Sequence, residues 1–235
     1  IPIIIGLIVV LIIIVVAVNA MQQHKQKLEQ EKRAKAAKQK AIIDETEELI
    51  LQLGNLPSNP SLVSVLNKRC LNAAKAMQSI MPENKAMRTR VQEFSARLKA
   101  SEDLTDSNAN SEDVFMLPDN EQQLVGILQS IKKLRVVIKS EQSKGALDAQ
   151  SFMAHDQRLE GIQLRISLES LTKRGNQAYS KEMLGSARQY YEKAMQTLND
   201  NSLQTEYTTK MRAMIEEKLE EIKQRLGPSF PIETV

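Results

Sequence analysis

The chain has 235 residues, a net charge of +3, 42% hydrophobic and only 3% aromatic residues, no Trp and one cysteine. So small a positive balance excludes a whole-chain nucleic-acid argument, and the scarcity of aromatics argues against sheets and cofactor pockets. A single thiol excludes an internal disulfide framework and suits a reducing compartment.

Ile1 to Val18 reads IPIIIGLIVVLIIIVVAV, without one charged or hydrogen-bonding side chain. As a helix it would rise ~27 Å, close to the ~30 Å hydrocarbon core of a bilayer. Lipid forces the backbone to satisfy itself, so Ile and Val become helical there despite their aqueous preferences. Pro2 stands at the start, where its missing N–H costs little. A cleaved signal peptide fits less well, because Val18-Asn19-Ala20 is a poor cleavage site and the apolar run exceeds a usual signal core. Residues 1–20 are therefore expected to be a single-pass anchor.

The stretch from Met21 to Lys40 carries Lys25, Lys27, Lys32, Arg33, Lys35, Lys38 and Lys40 against Glu29 and Glu31, a net of +5. Basic residues directly after a span stay in the cytoplasm. This predicts the N-terminus outside and the body inside, in a bacterial inner membrane. The seven cations are also candidate contacts for anionic lipid headgroups, at about 1 kcal/mol each. No aromatic residue accompanies them to stack on bases, so nucleic acid is not an expected partner. The segment 21–41 is expected to be a basic juxtamembrane helix.

Residues 42–100 are expected to form a helical hairpin region. Ile42, Ile43, Leu49, Ile50 and Leu53 give the incoming helix an apolar face that should pack on it. Asn59-Pro60 has the form of an N-cap and first helical residue. Leu62, Leu66, Cys70, Ala73, Met77 and Ile80 form one stripe, and Met87, Val91, Phe94 and Leu98 another, parted by Met81-Pro82-Glu83. Cys70 on that stripe reads as a buried structural thiol.

Residues 101–118 hold Glu102, Asp103, Asp106, Glu112 and Asp113 without a basic residue, and are expected to be an acidic flexible linker. Inside it, Val114 to Leu117 is an apolar island that could dock on the helices. Asp119 and Gln122 have capping-box spacing. Leu124, Ile127, Leu128, Ile131, Leu134 and Ile138 follow in helical register towards Gly145, and Asp148 opens a long helix with two apolar rows.

From Leu168 the chain reads LESLTKRGNQAYSKEMLGSARQYYEKAMQTL. With Leu168 as the first position, Gly175, Ala187, Tyr191 and Ala194 occupy the small, small, aromatic and small positions of a two-helix repeat, with Gly185 expected in the turn. Over about 31 residues this resembles a tetratricopeptide repeat. It departs at Leu171, where Trp is usual, at Tyr179, one place past the usual aromatic, and at Asn199, where Pro is usual. The resemblance implies a stack of helices over 119–226. Leu203 to Leu226 would be its closing helix, with Glu221 and Arg225 as an exposed i,i+4 pair, and 227–235 a tail. It also implies that Glu169, Thr172, Asn176, Tyr179 and Ser180 line a concave face that binds peptides or helices of other proteins.

The expected fold class is therefore all-α: an N-terminal transmembrane helix, a hairpin region, an acidic linker and a repeat-like stack. No catalytic, cofactor-binding or metal-ligating residues are expected. His24 and His155 have no partners at metal-ligand spacing, and no HExxH, Walker A or GxGxxG sequence is present. The expected function is a membrane-anchored, non-enzymatic adaptor that binds other proteins in a membrane-associated complex. Two alternatives stay open: a structural subunit of a secretion, pilus or flagellar type of assembly, with homo-oligomerisation compatible, and a lipid- or nucleic-acid-binding regulator using residues 25–40.

Overall fold

The computed structural model describes residues 2–107 and 120–227, with the side chains of 2–15, 105–107 and 121 outside the description. Among the described residues the regular structure is entirely helical: α1 (Pro2–Leu53), α2 (Pro60–Ile80), α3 (Lys85–Ser107), α4 (Glu121–Ser143), α5 (Ala149–Ser180), α6 (Leu184–Asn199) and α7 (Glu206–Leu226). The chain divides into two compact units, Ile1–Val114 and Phe115–Val235. The Val114 to Leu117 island and the tail from Pro228 lie outside the described residues.

In the first unit α1 is one unbroken helix of 52 residues, rising ~78 Å. It joins the apolar run, the basic segment and the packed region without a break, so the boundaries expected at 20 and 41 fall inside one element. Among the described residues no helix is long and apolar enough to cross a membrane. Most of the expected anchor, residues 1–15, lies outside the described side chains, so that statement concerns the chain from Val16 onwards.

Packing begins at Ala36 and resumes seven residues on at Ile43, followed by Thr46, Leu49 and Leu53 at three- and four-residue spacing, all buried. This face meets α2, whose start is set by Asn59: its side-chain oxygen accepts from the Leu62 N–H at 3.1 Å, with Pro60 in the first turn. Ile43, Cys70, Ala74, Met77 and Phe94 share one core. Cys70 is fully buried, and burial, with Glu47 nearby, pushes its thiol up to about 11. Glu47 of α1 accepts from Arg90 at 3.1 Å and Arg97 at 3.3 Å, tying α1 to α3.

The acidic linker begins later than expected. Residues 101–107 continue α3, and Ser101 is buried, accepting a hydrogen bond from the Asn67 amide at 3.3 Å. Ser101 extends the spacing of Met87, Val91, Phe94 and Leu98. That amphipathic face outweighs the unfavourable acidic residues at the helix C-terminus.

In the second unit the cap of α4 is Asn120, whose side chain accepts from Gln122 N–H at 2.8 Å. The expected capping residue, Asp119, lies outside the described residues. Gly145, at φ +71°, ends the helix as expected, with Ala146 N–H returning to Glu141 O at 2.9 Å. Asp148 caps α5 through Ser151 N–H at 2.8 Å. Arg135 of α4 grips Asp156 of α5 with two hydrogen bonds, 2.7 and 2.9 Å.

The α5–α6 turn departs from expectation. Gly185 is inside α6, and the left-handed residue is Glu182, at φ +59°. Its position follows from the carbonyls that must be satisfied: Lys181 and Met183 N–H both return to Ala178 O, at 3.2 and 2.9 Å. The closing helix also starts later, at Glu206 rather than Leu203. Thr205 and Thr208 form a reciprocal capping box there, while Leu203 N–H is taken by Asn201.

Candidate functional site

The second unit is organised around Gly175 and Tyr191. A Cβ at Gly175 would stand 2.9 Å from the Tyr191 ring. Only glycine allows so close an approach of α5 to α6. Tyr191 is fully buried, and burial raises its phenol above the ordinary value. Its hydroxyl donates to Asn176 at 2.6 Å, so the ring fills the core while its polar tip stays satisfied. Leu168, Ala187, Ala194, Leu198, Ile215 and Ile222 complete the core.

Helix α7 runs alongside the second half of α5 in the same direction, because Tyr207 reaches Glu169 and Glu221 reaches Tyr179. This arrangement determines the state of the five expected partner-binding residues. Glu169 is half-buried, bonded to Arg165 at 2.7 Å and to the Tyr207 hydroxyl at 3.5 Å. Thr172 is 6% exposed and donates its hydroxyl to Leu168 O at 2.8 Å, so it offers nothing to a partner. Asn176 and Ser180 are exposed, though Asn176 already accepts from Tyr191. Tyr179 is half-buried and donates to Glu221, with Lys218 and Arg225 each 5.1 Å from its ring centre.

The expected Glu221–Arg225 pair is part of a larger cluster: Glu221 takes Lys218 at 2.8 Å and the Tyr179 hydroxyl, with the charge of Arg225 also acting on it. The Lys218 hydrogen bond, followed by that of Tyr179, holds the Glu221 carboxyl below the usual range. Two of the five, Glu169 and Tyr179, are therefore committed to α7.

A groove of about 790 Å³ opens between α6 and α7. Met195, Leu219 and Leu226 form its apolar floor, each resting on the buried core. Its rim alternates in charge. Arg188 pairs with Glu192 at 2.7 Å and Lys223 with Glu220 at 3.4 Å. Arg212 donates to Asn199 at 2.7 Å and lies against the Met195 sulfur. With Glu216 also lining it, the groove has three cations and three anions. Its volume is in the range of ligand clefts, and its neutral rim selects for shape and apolar fit rather than net charge. The sequence carries one partial signal of it: Arg212, Glu216, Leu219, Lys223 and Leu226 form a second helical row beside the core row of α7.

The seven expected lipid contacts, Lys25, Lys27, Lys32, Arg33, Lys35, Lys38 and Lys40, are all exposed on α1. Arg33 lies 3.6 Å from Glu29. A 3.6-residue period puts Lys25, Lys32, Arg33 and Lys40 on one side of the helix and Lys27, Lys35 and Lys38 on the other. The charge therefore surrounds α1 instead of forming one basic face.

Comparison with protein-family models, with curated proteins and with solved structures returns no match.

Proposed function

We propose that this chain is a membrane-anchored, non-enzymatic adaptor whose second unit recruits other proteins beside a bilayer. The observation that carries the reading is the α6–α7 groove, with an apolar floor of Met195, Leu219 and Leu226 inside a charge-balanced rim. Apolar centres ringed by polar groups are the form that protein docking surfaces take. The repeat-like spacing of Gly175, Ala187, Tyr191 and Ala194 supports the same reading, because tetratricopeptide-type stacks commonly bind segments of other proteins.

Residues 1–20 would hold the chain in the membrane as a single-pass span, with the N-terminus outside and the body in the cytoplasm of a bacterial cell. Support comes from the uncharged run of Ile1 to Val18 and the +5 stretch behind it. Val16, Val18 and Met21 are 61%, 46% and 64% exposed, which suits side chains that face lipid or its boundary. The cations of residues 25–40 would then meet anionic headgroups as a collar around an upright helix. Confinement to the bilayer raises the effective concentration of bound partners without tight contacts.

The full chain, extracted in mild detergent from its native host, tests this directly. A protein partner should co-purify with the wild type and be lost from the Leu219→Glu and Met195→Glu variants. Recovery of no partner that depends on the second unit would sink the adaptor reading. Release of the chain from membranes by alkaline carbonate would sink the anchor.

A further inference from the structure

We propose that the α6–α7 groove receives an amphipathic α-helix of a partner protein, about fourteen residues long, with basic side chains at its middle and acidic ones at its ends. The inference rests on the docking role proposed above and names the form that its partner takes.

Both walls of the groove are helical rows. On α6 the row is Arg188, Glu192, Met195 and Asn199, and on α7 it is Arg212, Glu216, Leu219, Lys223 and Leu226, each alternating four- and three-residue steps. Arg212, early in α7, reaches Met195 and Asn199 late in α6, so the two helices run antiparallel. Two such ridges side by side leave a trough into which the ridge of a third helix fits. The α7 row rises ~21 Å from Arg212 to Leu226, the length of about fourteen helical residues. The apolar points decide between a helix and a strand as occupant. Leu219 and Leu226 stand ~10.5 Å apart along the axis, the rise of seven helical residues. Side chains on one face of a strand recur every ~6.7 Å, so a strand that meets Leu219 is out of step at Leu226.

The rim charges are balanced in number but sorted in place. Arg212 holds one end of the groove. Glu216 and Glu220 of α7, with Glu192 of α6 opposite, form its middle, and Arg188 and Lys223 lie towards the other end. A second copy of this surface laid along it, in either direction, would set one acidic middle upon the other. A helix with a basic middle and acidic ends meets the opposite sign at each position. The rim pairs Arg188–Glu192 and Lys223–Glu220 join neighbours on their own helices and reach solvent, so little energy opposes sharing them with an occupant.

Fluorescence anisotropy tests the fit on the full chain in phosphatidylcholine nanodiscs, with empty nanodiscs as the blank. The probe is a labelled peptide of about fifteen residues, with leucines at i, i+4, i+7 and i+11, lysines between them at its middle and glutamates at its ends. One control peptide exchanges lysine and glutamate, and another scrambles the leucines. The basic-centred peptide should bind about tenfold more tightly than its charge-exchanged twin, the combined effect of several surface ion pairs that are each weak alone. Leu219→Glu should abolish binding. Glu216→Lys with Glu220→Lys, both exposed on α7 and so compatible with the fold, should reverse the preference between the two charge forms. Equal binding of the two charge forms, binding indifferent to leucine order or to Leu219→Glu, or no binding would each overturn the proposal. Self-association of the chain that Leu219→Glu removes would overturn it in favour of a second copy. Charge-selective peptide binding with no co-purifying protein would keep the helix site and remove the adaptor role. A co-purifying protein lost from Leu219→Glu, with no preference for the helical peptide, would keep the adaptor role and remove the helix.

Discussion

Gly175 is the residue at which substitution by a better helix former should do harm. Alanine is favoured over glycine inside a helix by about 1 kcal/mol, yet its Cβ would lie 2.9 Å from a ring with no exposed surface. Overpacking of that kind costs roughly 1–3 kcal/mol, so Gly175→Ala should give a net loss of stability in chemical denaturation. A variant as stable as the wild type would mean that α5 and α6 can separate freely. His155 makes a second residue-scale prediction. It is 6% exposed, and burial, with Arg158 adding to it, lowers its pKa. The unfolded imidazole takes its proton near pH 6.5, while the folded one resists. Stability should therefore fall as the pH drops through 6.5 towards the lower folded value. His155→Gln should lose less stability than the wild type between pH 7.5 and 5.5, measured by denaturant titration at each pH.

At the scale of elements, caps were the most legible features. Asn59, Gly145 and Asp148 each act where their residue type predicts, because a cap depends only on the few backbone groups beside it. Asn59→Ala should cost about 1 kcal/mol, seen as a lower denaturation midpoint with an unchanged slope. The errors arose where two local signals competed. Acidic composition marked Ser101 onward as linker, but Ser101 continues the buried face of α3 and bonds Asn67. Glycine marked position 185 as the turn, but the left-handed backbone falls on Glu182. There the need to satisfy carbonyls at the end of α5 decides the geometry, and nothing about a glutamate announces it.

At the scale of the molecule, each unit has a core of its own: Cys70, Ala74 and Phe94 belong to one, Leu168, Tyr191 and Ile215 to the other. Removing a buried aromatic side chain costs roughly 3–5 kcal/mol, so Tyr191→Ala should loosen the second unit alone. Hydrogen exchange should accelerate in α5, α6 and α7 while α2 and α3 keep their protection. Loss of protection in both units together would show that they unfold as one.

The sequence by itself determined the helical class, the apolar stripes and most of the caps, since these follow from periodicity and from chemistry within a few residues. It also contained the uncharged run and the basic stretch on which the membrane reading rests. Only the tertiary structure decided which polar residues remain available. Pairing α7 with α5 engages Glu169 and Tyr179, and setting α7 beside α6 creates the groove. Neither can be read along the chain, because a contact between helices depends on the rotation of both. A face that is apolar or charged in one helix acquires its role from the face set opposite to it.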